Sequence, residues 1–372
     1  MSSRAVVSNQ RQDSWNSALS LFGAAVWAAC ATLAGIGRAR FGIIELLFMF
    51  APLVVVPLGM ELSRHLTGVR ERIGPVRLLQ LPAMLAAAIA LWLPPGQIAA
   101  GLSALWLLQC VLLTGQRLIE WRRQKRIAVS MIVNIAYADL ILGAAWLVLS
   151  RAGFRPMGFQ EPIILLTAVH FHYSGFATAL IAAATLREFE SRGLRMPGLS
   201  ALVGLVALLP FALAAGFVFS PTLRFVAAIA LSASVTALAL ISWWMAGGWK
   251  SKPATVYIRG GSCAAMGALS LAGLYAVSEY FRKDWITVPR MANSHGVLNG
   301  LGFILLTLLA WLMELDQRGA GEGLSSSAQV KRVPSSRPSI ALAATSANAA
   351  HGRGSDLGAT HPDFVARDFY DR

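Results

Sequence analysis

Charge is scarce in this chain: 13% of its 372 residues are Asp, Glu, Lys or Arg, while 56% are hydrophobic. A water-soluble protein of this length cannot hide so much apolar surface around one or two cores. Cysteine is scarcer still. Cys30, Cys110 and Cys263 are the only three, and each falls inside an apolar run, so they read as small packing residues and not as disulfides or a metal cluster. No HExxH pair for zinc and no DDxxD cluster for a diphosphate is present. No segment alternates polar and apolar residues as a membrane β-strand does.

What is present is a series of apolar runs of about 20 residues, the length of a helix that crosses a bilayer. Ten are read, at about 16–36, 41–60, 76–94, 97–115, 128–149, 162–184, 199–219, 224–246, 260–280 and 291–313. Pro94, Pro95, Gly96 and Gln97 alone separate the third from the fourth, which predicts a tight turn between antiparallel helices. The fold class expected is all-α, a polytopic transmembrane helix bundle with a disordered C-terminal tail. Residues 1–15 form a polar cytoplasmic leader, 16–315 the membrane domain, and 316–372 a Ser-, Ala- and Gly-rich cytoplasmic tail that cannot bury a core. The first run is long enough to span and reads as an uncleaved anchor.

The +14 net charge is distributed by loop. The loops after spans 2, 4, 6 and 8 carry Arg64, Arg70, Arg72, Arg77, Arg117, Arg122, Arg123, Lys125, Arg126, Arg187, Arg192, Arg195, Lys250, Lys252 and Arg259. The opposite loops carry Arg38, Arg40, Arg151, Arg155, Arg224, Arg282, Lys283 and Arg290. The positive-inside rule then places both termini in the cytoplasm of a plasma (inner) membrane. Anionic lipid headgroups account for the basic balance, so the partners expected are membrane lipids and not nucleic acid.

Ionisable groups inside a span are costly and therefore point to function. In PIILLTAVHFHYSGFATALIAAA, a regular helix aligns Thr167, His170, Ser174 and Thr178 with Tyr173 beside them, a stripe that calls for a wet cavity or a polar partner. His172 lies about 200° round from His170 on a regular helix, facing another neighbour with Val169 and Gly175. In span 10, ANSHGVLNGLGF puts His295 and Asn299 on one face and a Gly296–Gly300 ridge beside it for close helix contact. Asp139 sits at mid-depth in span 5, Glu45 near the start of span 2 and Glu279 at the end of span 9. The plainer readings are an interfacial Glu279 beside Arg282 and Lys283, a Glu45 paired with Arg38 or Arg40, and an Asp139 bonded to an adjacent helix.

Three stretches, IELLFMFAPLVVVPLGMEL (44–62), VHFHYSGF (169–176) and SHGVLNGLGF (294–303), resemble the YndJ-like family of bacterial membrane proteins. The resemblance implies a multi-helix membrane protein, loosely labelled a transporter, and no established reaction or ligand. It carries over His170, His172, Tyr173, Gly175, His295, Asn299 and Gly302 as motif positions.

Three function classes follow. The first is a transporter or permease with a polar cavity built around spans 6 and 10, in which His170 and Asp139 form a proton-linked pair. The second is an intramembrane enzyme acting on a lipid or isoprenoid through His and Asp as acid and base. The third is a haem or metal protein ligated from spans 6 and 10. The small-molecule or lipid substrate and any cofactor stay unknown at this stage, as does the oligomeric state.

Overall fold

The computed structural model describes residues 3–68, 75–121 and 127–330, with side chains over 15–68, 76–121 and 128–319. Its helices are α1 (Ser3–Gly35), α2 (Ile43–Thr67), α3 (Pro75–Trp92), α4 (Gln97–Trp121), α5 (Ile127–Ala152), α6 (Ile163–Ser191), α7 (Leu199–Phe219), α8 (Pro221–Met245) and α9 (Lys252–Tyr280). The last, α10, opens at Val288–Met291 and ends in Leu305–Val330. No strand occurs among the described residues. The protein is an all-α polytopic membrane protein. Among the described residues nine helices are long and apolar enough to cross a membrane, and α3 is a shorter tenth, apolar over Val76–Trp92 with Pro82 inside it.

Helix limits follow local chemistry. Gly68 ends α2 with φ +67°, a left-handed conformation that glycine adopts without a Cβ clash. Ser220 caps α8 by accepting from the Leu223 N–H ahead of Pro221, and Ser251 does the same for α9 through Ala254 N–H. Two boundaries differ from the sequence expectation. The helix of α1 already begins at Ser3, within the leader, and α10 stays helical to Val330, past the residue where the tail was expected to start. Helical propensity of GAGEGLSSSAQV is modest, but an existing helix needs no new nucleus to extend. Residues 331–372, including HPDFVARDFYDR, lie outside the described residues. The compact unit is Met1–Leu324.

The centre of the bundle is α2 and α6, whose apolar windows are 83% and 72% buried; no other candidate span exceeds 50%. These same two helices, with α10, depart from α geometry. Ala51–Val55, Phe171–Ala177, Ala292–Gly296 and Leu298–Ile304 are π-helical. The Val56, Thr178 and Leu305 N–H groups each reach back five residues, to Ala51, Tyr173 and Gly300 carbonyls. In α2 the cause is at hand: Pro52 has no N–H to give to a preceding turn. Such segments are rare and concentrate where side chains must be re-aimed.

One end of the bundle is sealed by ion pairs. Glu188 (α6), 3% exposed, receives both terminal nitrogens of Arg318 (α10) at 2.7 Å and Arg192 at 2.6 Å. Glu314, wholly buried, accepts from Arg318 Nε at 2.8 Å and from the Lys250 and Ser251 backbone N–H groups at 3.2 and 2.9 Å. Glu61 (α2) binds Arg64 and accepts from Asn16 (α1) at 3.0 Å. Every carboxylate there has a cation and at least one further donor.

Candidate functional site

The opposite half of the bundle contains a cavity of about 250 Å³. Its walls come from α6, α7, α8, α9 and α10, with Leu47 from α2. On α6 it follows Ile163 to Thr178, which at 1.5 Å per residue is about 22 Å of depth. The pattern of lining residues places it at the N-terminal halves of α6, α8 and α10 and the C-terminal halves of α7 and α9.

Six of the nine residues singled out from the sequence line this cavity: His170, Tyr173, Ser174, His295, Asn299 and Glu279. Thr167 and Thr178 line it too. His170 is the most open of the α6 set, exposed to the cavity although its helix is at the bundle centre. Its Nδ1 is 2.8 Å from the Leu166 carbonyl, one turn back. His295 Nδ1 is 2.8 Å from the Ala268 carbonyl of α9. A carbonyl only accepts, so each Nδ1 carries the proton, and in the neutral ring each Nε2 is left as a lone-pair acceptor.

Three hydroxyls of α6 that line the cavity spend their protons inside the protein. Tyr173 donates to the Leu47 carbonyl at 2.8 Å, next to the π segment of α2, where Ala51 N–H has turned to Phe48. Thr167 donates to Ile163 and Thr178 to Tyr173, the latter across the π turn. Ser174 and Asn299 spend no side-chain hydrogen bond among the described residues. At the cavity's charged end Glu279 pairs with Arg224 of α8 at 2.9 Å. Its ion-pair partner is thus Arg224, and not the Arg282 or Lys283 of the plainer reading. Arg224 also sits over the Phe217 ring at 4.9 Å, so α7, α8 and α9 meet at this guanidinium.

Three residues stay outside. His172 turns away into the α4–α5 side, where its Nδ1 donates to Ala168 and its Nε2 accepts from Trp106 Nε1 at 3.1 Å. Phe48 packs edge-on against the ring at 5.1 Å between centroids. Both nitrogens are satisfied with the ring neutral, which makes it an anchor. A Cβ on Gly143 would lie 2.5 Å from this Nδ1, so glycine is what lets α5 approach.

Asp139 is also outside, and the proton-linked pair with His170 is not assembled. Its carboxyl is wholly buried between α5 and α6, against Gly175, whose Cβ would lie 2.5 Å from Asp139 Cγ. Neither oxygen has a hydrogen-bond partner among the described residues. Glu45 serves the start of α2, its Oε2 accepting from the Gly42 N–H at 3.0 Å. That local bond replaces the pairing expected with Arg38 or Arg40. Depth along the span placed these acids near the histidines; rotation about the helix axis sends Asp139 to another face.

Smaller corrections concern packing. The Gly296–Gly300 ridge receives side chains and not a helix backbone: a Cβ there would meet Leu47 Cδ1 at 2.7 Å and Tyr173 Cε1 at 3.1 Å. Gly302 is the position that lets α9 close in, through Ala264. Val169, expected beside His172, lines the cavity. Cys30 and Cys110 are buried, but Cys263 is exposed. Sequence reasoning missed Arg224, which it counted as a loop charge, and Trp106, for which an apolar run gives no signal. No group of three or more His, Cys, Asp or Glu able to hold a metal occurs among the described residues.

Comparison with known proteins agrees with this architecture. A protein named "Uncharacterized membrane protein YndJ", from Bacillus subtilis (strain 168), is 28% identical over 198 residues, which is 53% of this chain. The chain covers only 35% of that relative. No solved structure matches. The family model of the YndJ-like proteins matches residues 46–303, from Leu46 in the first turns of α2 through Phe303 of α10, and so includes both cavity histidines and the described π segments but for Ile304; on that match the chain belongs to the YndJ-like family.

Proposed function

We propose that this protein is a transporter or permease that admits a small molecule to the cavity between α6 and α10. The observation that carries the reading is the contrast in satisfaction of polar groups: His170, His295, Ser174 and Asn299 converge on one void with hydrogen-bonding capacity unspent. Polar groups held in that state at membrane depth are expensive unless a ligand or water meets them. The asymmetry of positive loops supports an orientation with the cavity at the outer side of a plasma membrane and both termini in the cytoplasm. Ion pairs close the other end. A cavity open to one side and sealed at the other is one state of an alternating-access cycle.

The enzyme reading calls for a His–carboxylate acid–base pair, and Asp139, the acid of the transporter reading's proton-linked pair, packs against Gly175 away from the cavity histidines. Glu279 does line the cavity, but it is tied to Arg224.

The test is uptake of a mixed pool of small solutes by proteoliposomes, read by mass spectrometry against liposomes containing Ala228→Trp, which fills the void. Accumulation that depends on an unfilled cavity supports the reading. Equal solute profiles for the two, with both proteins folded, would sink it.

A further inference from the structure

Part of the cavity's polar lining is fixed in its hydrogen-bonding chemistry, and that part points to a ligand class. The hydroxyls of Thr167, Tyr173 and Thr178 donate their protons to the carbonyls of Ile163, Leu47 and Tyr173 and have none to give a ligand. Ser174 and Asn299 can donate as well as accept. Both imidazoles are fixed with the proton on Nδ1, by the Leu166 carbonyl on one side and the Ala268 carbonyl on the other. In the neutral ring they show the cavity only Nε2 lone pairs. His172 shows what completes such a ring: its Nε2 takes the indole N–H of Trp106. His170 and His295 are the same unit with that donor missing.

The remaining features restrict the class further. Glu279 neutralises Arg224, the lining cation, so the cavity offers an anion no unpaired positive partner. The rest of the wall is hydrocarbon, with Leu213, Phe217, Phe225, Leu231, Val235 and Leu269 facing the void. A volume of about 250 Å³ lies just below the usual range for drug-sized sites of roughly 300–1,000 Å³. Such a space suits one short chain.

Resting on the cavity reading above, we infer that the ligand is a small single-chain amphiphile without negative charge, whose polar end carries at least two O–H or N–H donors. One donor meets His170 Nε2 and another His295 Nε2, and the apolar body lies along α7 and α8. The donor chemistry is common to vicinal diols and primary amines, and both are arms of the test.

The experiment uses the full chain in nanodiscs with the three native cysteines replaced and Ser174→Cys introduced as a reporter. The rate of maleimide labelling is measured with octane-1,2-diol, octylamine, octanoate and the donor-free 1,2-dimethoxyoctane, added at equal membrane-partitioned concentration. The diol, the amine or both slow labelling at least fivefold more than the ether and octanoate do. His170→Phe or His295→Phe reduces that advantage about two- to tenfold, the worth of one hydrogen bond. If the diol alone protects, the head is a hydroxyl type; if the amine alone, an ammonium type. Equal protection by the ether, stronger protection by octanoate, or protection by none of the four overturns the ligand class while the labelled thiol still reports an open cavity. A folded reporter that never labels overturns the cavity reading itself. Wild-type discrimination among the four compounds decides the matter even if a histidine variant fails to fold.

Discussion

At the sealed end of the bundle, Glu188, Glu314 and Arg318 complete one another: two carboxylates take every nitrogen of one guanidinium, and backbone N–H groups of Lys250 and Ser251 fill what is left. At the cavity end His170 and His295 each satisfy one nitrogen and turn the other to a void. Both regions gather costly groups within a membrane protein. The first spends them on holding α6, α9 and α10 together; the second holds them in readiness. Among the three histidines of α6 and α10, completeness of hydrogen bonding, and not residue type, separates the buried anchor from the two that line the cavity. His172 makes the point within a single helix, two residues from His170 and fully paired.

The comparison breaks most visibly at Arg318. Arg318→Met leaves Glu188 and Glu314 buried without their shared cation and costs about 3 kcal/mol or more. Thermal unfolding in detergent checks it, and Glu188→Gln in the same background recovers part of the loss. Next comes Gly175→Ala, whose Cβ meets the Asp139 carboxyl; overpacking there costs about 1–3 kcal/mol. Asp139→Ala restores the space, so a double-mutant cycle in unfolding free energy shows a favourable coupling.

The two histidines sharpen the contrast. His172→Phe strands the Trp106 indole N–H and costs about 1–3 kcal/mol of stability. His170→Phe changes stability by roughly 0.5 kcal/mol or less, as a site away from packing should, yet removes solute uptake. Stability and uptake measured on both variants must move in opposite order. Tyr173→Phe releases the Leu47 carbonyl and costs about 1 kcal/mol, detected as faster hydrogen exchange at the π segment of α2. Smallest is Glu279→Gln: its pair with Arg224 is part exposed, and losing it costs about 0–1 kcal/mol. Its larger effect is on ligand choice, since an unneutralised Arg224 should let octanoate into the cavity in the labelling assay.

Much of the architecture was legible without coordinates. Uninterrupted apolar runs must become helices in a bilayer, because each backbone N–H and C=O has to be satisfied within its own segment. Ten runs became ten helices, with the short Val76–Trp92 segment the weakest spanner. The polar stripe of α6 was legible too, since Thr167, His170, Ser174 and Thr178 share a wall of one cavity. What failed was the assembly of groups from different helices. Asp139 and His170 lie at similar depth, but depth says nothing of azimuth. A regular-helix count also misplaced Val169, because the hydrophobic pattern carries no mark of the wider π turn beginning at Phe171.

The sequence by itself determined that the chain is a membrane helix bundle, which segments span, and which few ionisable residues sit at membrane depth. Those follow from composition and run length, properties that act one segment at a time. Only the tertiary structure decided that Arg224 answers Glu279, that Trp106 completes His172, and that no side chain among the described residues completes His170 or His295. Each depends on which helix stands beside which. Packing in a bilayer is set by small-residue contacts and shape, and the sequence of one helix does not record the face of its neighbour.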